Sequence, residues 1–474
     1  MRPSNRRGIK NIDWVLVLLY FLLVAFGWFN IYAANSEPGA SFTIDTNKEY
    51  FKQLIWIGIS IISIGVILLI DSKFFVEFSY IFYIISVFLL FIVIFIGVEV
   101  NAAKSWFQVG GMRFQPVEIA KVAMALTMAR VMSRFQFSFK KLNDVFTLGI
   151  LWVLPMIIII LQNDTGSALI FFAFALVFFR EGMSPYFILF GIIAIAVFIA
   201  TLLISNNIIL LILFLSMIVH LLYKRVRKEA AIMLSVFVIT FFISYLIFHQ
   251  WLNKENLFTP LFIAVVVSSL YLLVVAFIQR AKVFFISLLL LWGSIGFAFS
   301  TDYFTEEILS DYQRTRIQVM LGLKDDPLGA GYNVHQSKIA IGSGGFLGKG
   351  FMQGTQTKFN FVPEQSTDFI FCTVGEEWGL LGTAGVIILF SFFIVRIIIL
   401  SEKQYSDFSR IYGYGVASIF LIHFAINIGM TIGLAPVIGI PLPFFSYGGS
   451  SLWGFTILLF IFVKLDTNRA QLIR

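Results

Sequence analysis

Asp326 opens the run Asp326-Pro-Leu-Gly-Ala-Gly-Tyr332, and its residue types permit two kinds of chemistry. A carboxylate before proline is biased toward extended or turn geometry, and Gly329 close behind it is ordinary turn chemistry. The same carboxylate beside a hydroxyl nucleophile can take its proton as a general base. Downstream, Gly342-Ser-Gly-Gly-Phe-Leu-Gly-Lys-Gly350 is rich enough in glycine to bring backbone amides close to a phosphate, with Lys338 and Lys349 as cations. It suits a flexible connector equally well. It is not a P-loop, because the spacing fails and no Lys-Ser/Thr pair opens a helix. Arg314 and Arg316 fit either an anion site or interfacial anchoring.

A second set of charges falls near or inside apolar segments. Glu118 and Lys121, at i and i+3 on the start of a helix, face the same side and can pair. Arg113, Gln115 and Trp106 lie just upstream, Asp164 sits between two tightly linked apolar runs, and Glu376-Glu377 lie within a long one. Ionisable groups at such depth line a cavity or pair with one another to fix helix packing. Trp106, Trp251 and Tyr332 near segment boundaries suit an aromatic belt. The four histidines, His220, His249, His335 and His423, have no ligand spacing and signal no zinc site. The single Cys372 excludes an internal disulfide. There is no serine-nucleophile elbow and no dinucleotide fingerprint.

The elements that must position these residues are apolar. With 59% hydrophobic and 13% charged residues over 474 positions, the chain is not a soluble globule. Mean hydropathy is +0.92. Apolar runs fall near 13–33, 53–70, 76–98, 117–133, 146–161 and 166–179. Others fall near 187–204, 208–222, 230–248, 260–278, 283–300, 368–400, 411–432 and 437–463. The expected fold is an all-α polytopic membrane protein of about 14 transmembrane helices. The first run is long and lacks a small-residue cleavage site, so it is expected to remain as a span. The net charge of +8 belongs to short loops between spans and implies no nucleic acid.

Arg2, Arg6, Arg7 and Lys10 place the N-terminus in the cytoplasm, and the basic clusters at 130–141, 224–228, 280–282 and 464–474 then fall on the same side. The same parity puts the C-terminus in the cytoplasm and the one large polar loop, 301–366, outside. A loop of roughly 65 residues with no helical period cannot sit in lipid and is usually functional or disordered. Phe346, Phe351, Phe359, Phe361 and Ile339 give it apolar anchors, so it is expected to fold and to carry the chemistry.

Several of these stretches resemble a known family. Arg113-Phe-Gln-Pro-Val-Glu-Ile-Ala-Lys121, Gln162-Asn-Asp164 with Gly166, the run from Asp311-Tyr-Gln-Arg314 to Glu377, Asn427-Ile-Gly-Met430 and Pro441-Leu-Pro-Phe-Phe-Ser-Tyr-Gly-Gly-Ser450 resemble the RodA/FtsW family of SEDS proteins. The resemblance covers roughly 1–180 and 283–474 and is closer to the elongation-type RodA branch. The sequence departs from it at Asn163, Val117 and Ser105, where the family usually has proline, serine and a basic residue. The segment 183–282 looks like about four extra helices inserted in a SEDS-type domain, 1–474, whose core typically has ten.

What the resemblance implies is peptidoglycan glycosyl transfer in the bacterial plasma membrane, with lipid II polymerised into β-1,4 glycan. It assigns Asp326 to the family's essential loop aspartate, and Trp106, Arg113, Glu118, Lys121 and Asp164 to residues lining a central cavity. Lys338 falls at a matching lysine. It further implies a divalent cation, magnesium or manganese, with no organic cofactor, and a class B penicillin-binding protein as transpeptidase partner. Two rivals remain: a flippase for the lipid-linked precursor, and a non-catalytic scaffold for the transpeptidase. A flippase needs a cavity open to both sides and no carboxylate base outside. A scaffold needs neither.

Overall fold

Asp13 accepts a hydrogen bond from the Leu16 amide (2.9 Å) and so caps the first helix, α1 (Trp14–Ala34). The computed structural model describes residues 12–36, 45–100, 103–109, 112–251, 257–303, 305, 307, 311–324, 326, 329, 331–359 and 361–469. The fold is that of a multi-pass membrane protein. Among the described residues, 12 helices are long and apolar enough to cross a membrane. Two shorter ones, Pro116–Met132 and the run Thr165–Arg180, bring the count close to the fourteen expected. Large apolar side chains stay exposed along the outer helix faces, as lipid-facing surfaces require.

The chain divides into two compact units, 1–183 with 325–474, and 184–324. The first contains α1, α2 (Glu49–Leu69), α3 (Ser72–Glu77), α4 (Ser79–Ile96), α5 (Pro116–Met132), α6 (Leu142–Leu161), α7 (Thr165–Ile170) and α8 (Phe174–Arg180). A 3-10 turn at Phe171–Ala173 joins the last two. The second has α9 (Pro185–Leu203), α10 (Asn206–Tyr223), α11 (Arg227–Leu246), α12 (Phe258–Gln279), α13 (Lys282–Tyr303) and α14 (Asp311–Met320). It has a core of its own, in which Phe214 stacks on Phe237 at 4.1 Å and the His220 ring bonds Ser287 Oγ at 3.0 Å. The first unit then resumes with α15 (Tyr332–Ser343), α16 (Ile370–Glu402), α17 (Asp407–Thr431) and α18 (Gly449–Thr467).

Helix α5 is the centre of the first unit. Proline at its first turn starts it, and alanines at 120, 123, 125 and 129 let α4, α17 and α18 pack closely around it. Nearly all of its residues are buried, the charged ones included.

The two ends of this unit differ. At one end ion pairs tie helix to helix: Arg396 with Asp13, Arg180 with Glu402 (2.7 Å), and Arg410 with Glu181 (2.9 Å). Lys464 Nζ also donates to the Leu68 carbonyl at 2.7 Å. The other end carries the polar loops. One is a three-stranded antiparallel sheet, β1 (Val98–Val100), β2 (Ala103–Val109) and β3 (Met112–Phe114), the only departure from an all-helical architecture among the described residues.

Two further differences from the sequence expectation stand out. The apolar run 437–463 is not one span, because α18 begins only at Gly449. Pro441 and Pro443 lack amide donors, and Gly439 and Phe444 take positive φ (74° and 64°), so 437–448 is a non-helical segment. The loop 301–366, expected to lack helical period, contains α14 and α15. In α15 the buried face is Ser337 and Ala340, too small and polar to give a strong apolar stripe.

Candidate functional site

Glu118 and Lys121 leave the first turns of α5 on one face and form an ion pair of 2.9 Å, with side chains only 3% and 4% exposed. Lys121 Nζ lies 3.1 Å from His423 Nε2 on α17 and 4.2 Å from the centre of the Phe455 ring on α18. Gly454 makes room for this on α18, since a Cβ there would come within 2.9 Å of Glu118. The protein therefore closes around the pair. Of the two readings of these charges the structure shows the pairing: the carboxylate and the ammonium hold each other within packed protein.

Above them, Asp164 caps α7 by accepting from the Ser167 amide (3.0 Å). Its other oxygen accepts from Gln115 Nε2 (2.9 Å), the residue just before α5, so it ties α7 to the entry of α5. Trp106 is half-buried on β2 opposite Val98, and Arg113 is exposed on β3 opposite Gln108. Burial pushes the Tyr447 hydroxyl up to about 12, with Glu49 adding to the shift and Arg113 opposing it. Trp251 has its side chain outside the described residues.

Asp326 is half-buried on a turn: its carbonyl accepts from the amides of Gly329 (3.3 Å) and Gly331 (3.0 Å). Its carboxylate lies over Gly329, where a Cβ would meet Oδ2 at 2.3 Å. The turn and the carboxylate thus coexist, and a larger residue at 329 would have to displace that carboxylate. Directly after Gly331, α15 packs on the C-terminal end of α17, with Ser337 Oγ donating to the Thr431 carbonyl (2.9 Å). Lys338 is exposed beside Gly433, so its ammonium stands at a helix C-terminus where a cation is favoured.

Glu376 settles differently from a cavity residue. Its carboxylate is fully buried, and accepts from the amides of Thr355 (2.7 Å), Gln356 (2.8 Å) and Thr357 (2.9 Å) and from Thr357 Oγ1 (2.8 Å). Lys349 completes the cage at 2.7 Å. Glu377 beside it is also buried. Burial lowers the Lys358 ammonium from its ordinary range, opposed by the charge of Glu377.

The glycine run proves to be neither phosphate cradle nor loose connector. Helix α16 is broken at Gly379 (φ 63°), which frees its hydrogen-bonding groups. The run supplies the replacements: Lys349 and Gly350 amides donate to the carbonyls of Glu376 and Glu377 (3.0 Å each). In return the Leu380 and Leu381 amides donate to Gly345 (2.9 Å) and Phe346 (3.2 Å) carbonyls. Glycine is required by contact, since a Cβ on Gly344 would lie 1.9 Å from the Gly375 carbonyl oxygen.

Sequence reasoning missed His423 as part of the site because a lone histidine has no ligand spacing. The available signal was His423 and Asn427 at i and i+4 on an apolar helix facing the proline-broken segment at 437–448.

The sequence model of the FtsW/RodA/SpoVE family, described as cell cycle protein, matches residues 13–210 and 207–471. The peptidoglycan glycosyltransferase RodA of Treponema pallidum is 30% identical over 468 residues, 98% of this chain and 99% of that one. The peptidoglycan glycosyltransferase MrdB of Escherichia coli K12 is 42% identical over 165 residues, 35% of this chain and 45% of that one. Among solved structures, a chain from a study of polymerization and crosslinking by a peptidoglycan synthase complex matches with TM-score 0.63 at 21% identity, covering 97% of this chain and 99% of that one. The rod shape determining protein RodA of Thermus thermophilus matches with TM-score 0.56 at 20% identity, covering 97% and 98%.

Proposed function

The chain belongs to the FtsW/RodA/SpoVE family of cell cycle proteins, and on that premise we propose that it is a peptidoglycan glycosyltransferase that polymerises lipid II during cell-wall elongation. One observation carries the reading beyond family. Asp326, Asp164 and Arg113, with Lys338 on α15, belong to the polar loops and helix starts at one end of the first unit, while the ion pairs that tie helix to helix fasten the opposite end. That asymmetry supports a one-sided site and disfavours a flippase, which must open both ends. The N- and C-termini are then cytoplasmic and the polar loops lie outside.

The acceptor sugar's 4-hydroxyl attacks C1 of the donor MurNAc. The O4–C1 bond forms as the C1–O bond to phosphate breaks, and undecaprenyl pyrophosphate leaves with the electron pair. Asp326 takes the hydroxyl proton. A single displacement inverts the α-linked donor to a β-1,4 linkage. Arg113 and Lys338 supply positive charge for the leaving group, and Lys121 holds a third charge in the apolar core below.

Among the described residues no group of three or more His, Cys, Asp or Glu stands in metal-ligand geometry. A magnesium or manganese ion fits here only as one bound through substrate phosphates with one or two protein carboxylates, the arrangement magnesium favours, and Asp326 or Asp164 would provide one. When bound, it would offset charge on the departing pyrophosphate. A class B penicillin-binding protein is the proposed partner for crosslinking.

The decisive experiment is polymerisation of purified lipid II by the purified chain, with and without a class B penicillin-binding protein. Glycan strands from wild type but not from Asp326→Asn are expected. Transport of lipid II across vesicles with no polymer in either condition would overturn the proposal.

A further inference from the structure

Both ring nitrogens of His423 are engaged, and their partners fix its chemistry. Nδ1 is 3.2 Å from the Pro441 carbonyl oxygen, which can only accept, so Nδ1 carries the hydrogen. Nε2, 3.1 Å from the Lys121 ammonium, is then left as an acceptor. The ring is buried and stands edge-on to Phe455 at 4.7 Å. We propose that His423 is a positioning residue that holds the Lys121 ammonium in place relative to the 437–448 segment. The role of that ammonium in the reaction rests on the proposed function; the hold itself does not.

Two arguments support this. Glu118, on the same helix as Lys121, holds the ammonium from its own helix only. His423 from α17 and Phe455 from α18 fix its direction, so three sides of the ammonium are occupied. The second argument concerns what His423 is attached to. Asn427, one turn on, donates to the Ile440 (2.7 Å) and Asp368 (2.8 Å) carbonyls, next to the Pro441 carbonyl that His423 holds. The same segment is tied to the catalytic loop, where the Tyr447 amide donates to the Ser366 carbonyl at 2.8 Å. A histidine that merely filled space would not have one nitrogen on this segment and the other on the core cation.

The test compares His423→Leu, His423→Gln and Asn427→Leu in the full chain with lipid II as substrate. Glutamine keeps one donor and one acceptor, leucine keeps volume only, and Asn427→Leu cuts the neighbouring carbonyl ties without touching Lys121. His423→Leu is expected to lower kcat about tenfold or more, the scale of a lost hydrogen bond to a charged group, with KM changed far less. His423→Gln should restore most of that loss. Asn427→Leu should lower the melting temperature at least as much as His423→Leu while losing less kcat. If glutamine is as inactive as leucine, or kcat simply follows melting temperature across the three, the inference is overturned. Melting of His423→Leu, Lys121→Met and the double variant gives a readout independent of activity: coupled losses are expected, and additive losses would overturn the inference. Coupled melting in a protein that makes no polymer would support the hold on Lys121 and overturn the proposed function instead.

Discussion

Asp326 and Glu376 bear the same functional group in opposite surroundings, and the surroundings separate their roles. Glu376 accepts from three amides, two hydroxyls and Lys349, so its oxygens are committed to folding the loop. Asp326 lies half-buried on a turn whose Gly329 and Gly331 amides donate to its own carbonyl, in the polar loop to which the proposed function assigns the chemistry. Asp326→Asn is therefore expected to reduce polymerisation by about 10²–10⁴-fold, the range for loss of a general base, with insertion and folding unchanged. Asp325→Ala should be far milder, and equal loss in both variants would remove Asp326 from the role. On the proposed function, Arg113 and Lys338 are the cations for a pyrophosphate that concentrates negative charge beside a low-dielectric surface. Chelation of divalent ions is expected to lower turnover and added magnesium or manganese to restore it. Full turnover by metal-stripped protein in excess EDTA would show that the protein's own cations suffice.

At the scale of elements, what was legible in the sequence was whatever depends on composition over a helical length. Apart from the short α3 and the division of one run into α7 and α8, the helices through α13 and the long α16 and α17 follow from apolar runs, and the Glu118–Lys121 pairing follows from i,i+3 spacing. What was not legible depends on backbone groups far apart in the chain. The break in α16 is invisible because Gly379 lies within a run that is apolar throughout, and its cause lies some thirty residues away, in the glycine run that replaces the lost hydrogen bonds. The non-helical 437–448 segment did carry a local signal in Pro441 and Pro443, but the partners of its carbonyls, Asn427 and His423, come from a helix elsewhere in the chain. The clasp gives a controlled prediction. Gly379→Ala forces a side chain into positive φ, with a Cβ 2.3 Å from the Gly348 amide, whereas Gly385 on the same helix faces open space. Gly379→Ala should destabilise by roughly 1–3 kcal/mol, measured as a lowered melting temperature, and Gly385→Ala should not. Equal melting of the two would show that the clasp yields without cost.

For the whole molecule the open matter is why a chain of this family carries so many helices. The segment 183–282 was expected to add about four to a ten-helix core, and the structure gathers α9 to α14 into a unit, 184–324, with its own apolar core. Among the described residues, contacts within its long helices include the neutral pairs His220 with Ser287 and Ser244 with the Pro260 carbonyl (3.3 Å), while the charged Glu229, which accepts from Gln279 (3.2 Å), stands at a helix end. The buried ion pair of the site, Glu118 with Lys121, lies instead in the first unit. Intramembrane charge is the usual mark of a substrate path, and among the described residues the charged side chains of α9 to α13 lie near helix ends. We propose that they serve stability or partner contact and leave the reaction to the first unit. Excising α9 to α12 as a block removes an even number of spans, so every later loop keeps its side. Removing one or three would reverse the loop that carries Asp326. The four-helix deletion is expected to insert correctly, shown by protease or cysteine labelling of the loops, and to polymerise lipid II at a measurable rate. A correctly inserted deletion that no longer binds lipid II would mean that the added helices build part of the substrate site.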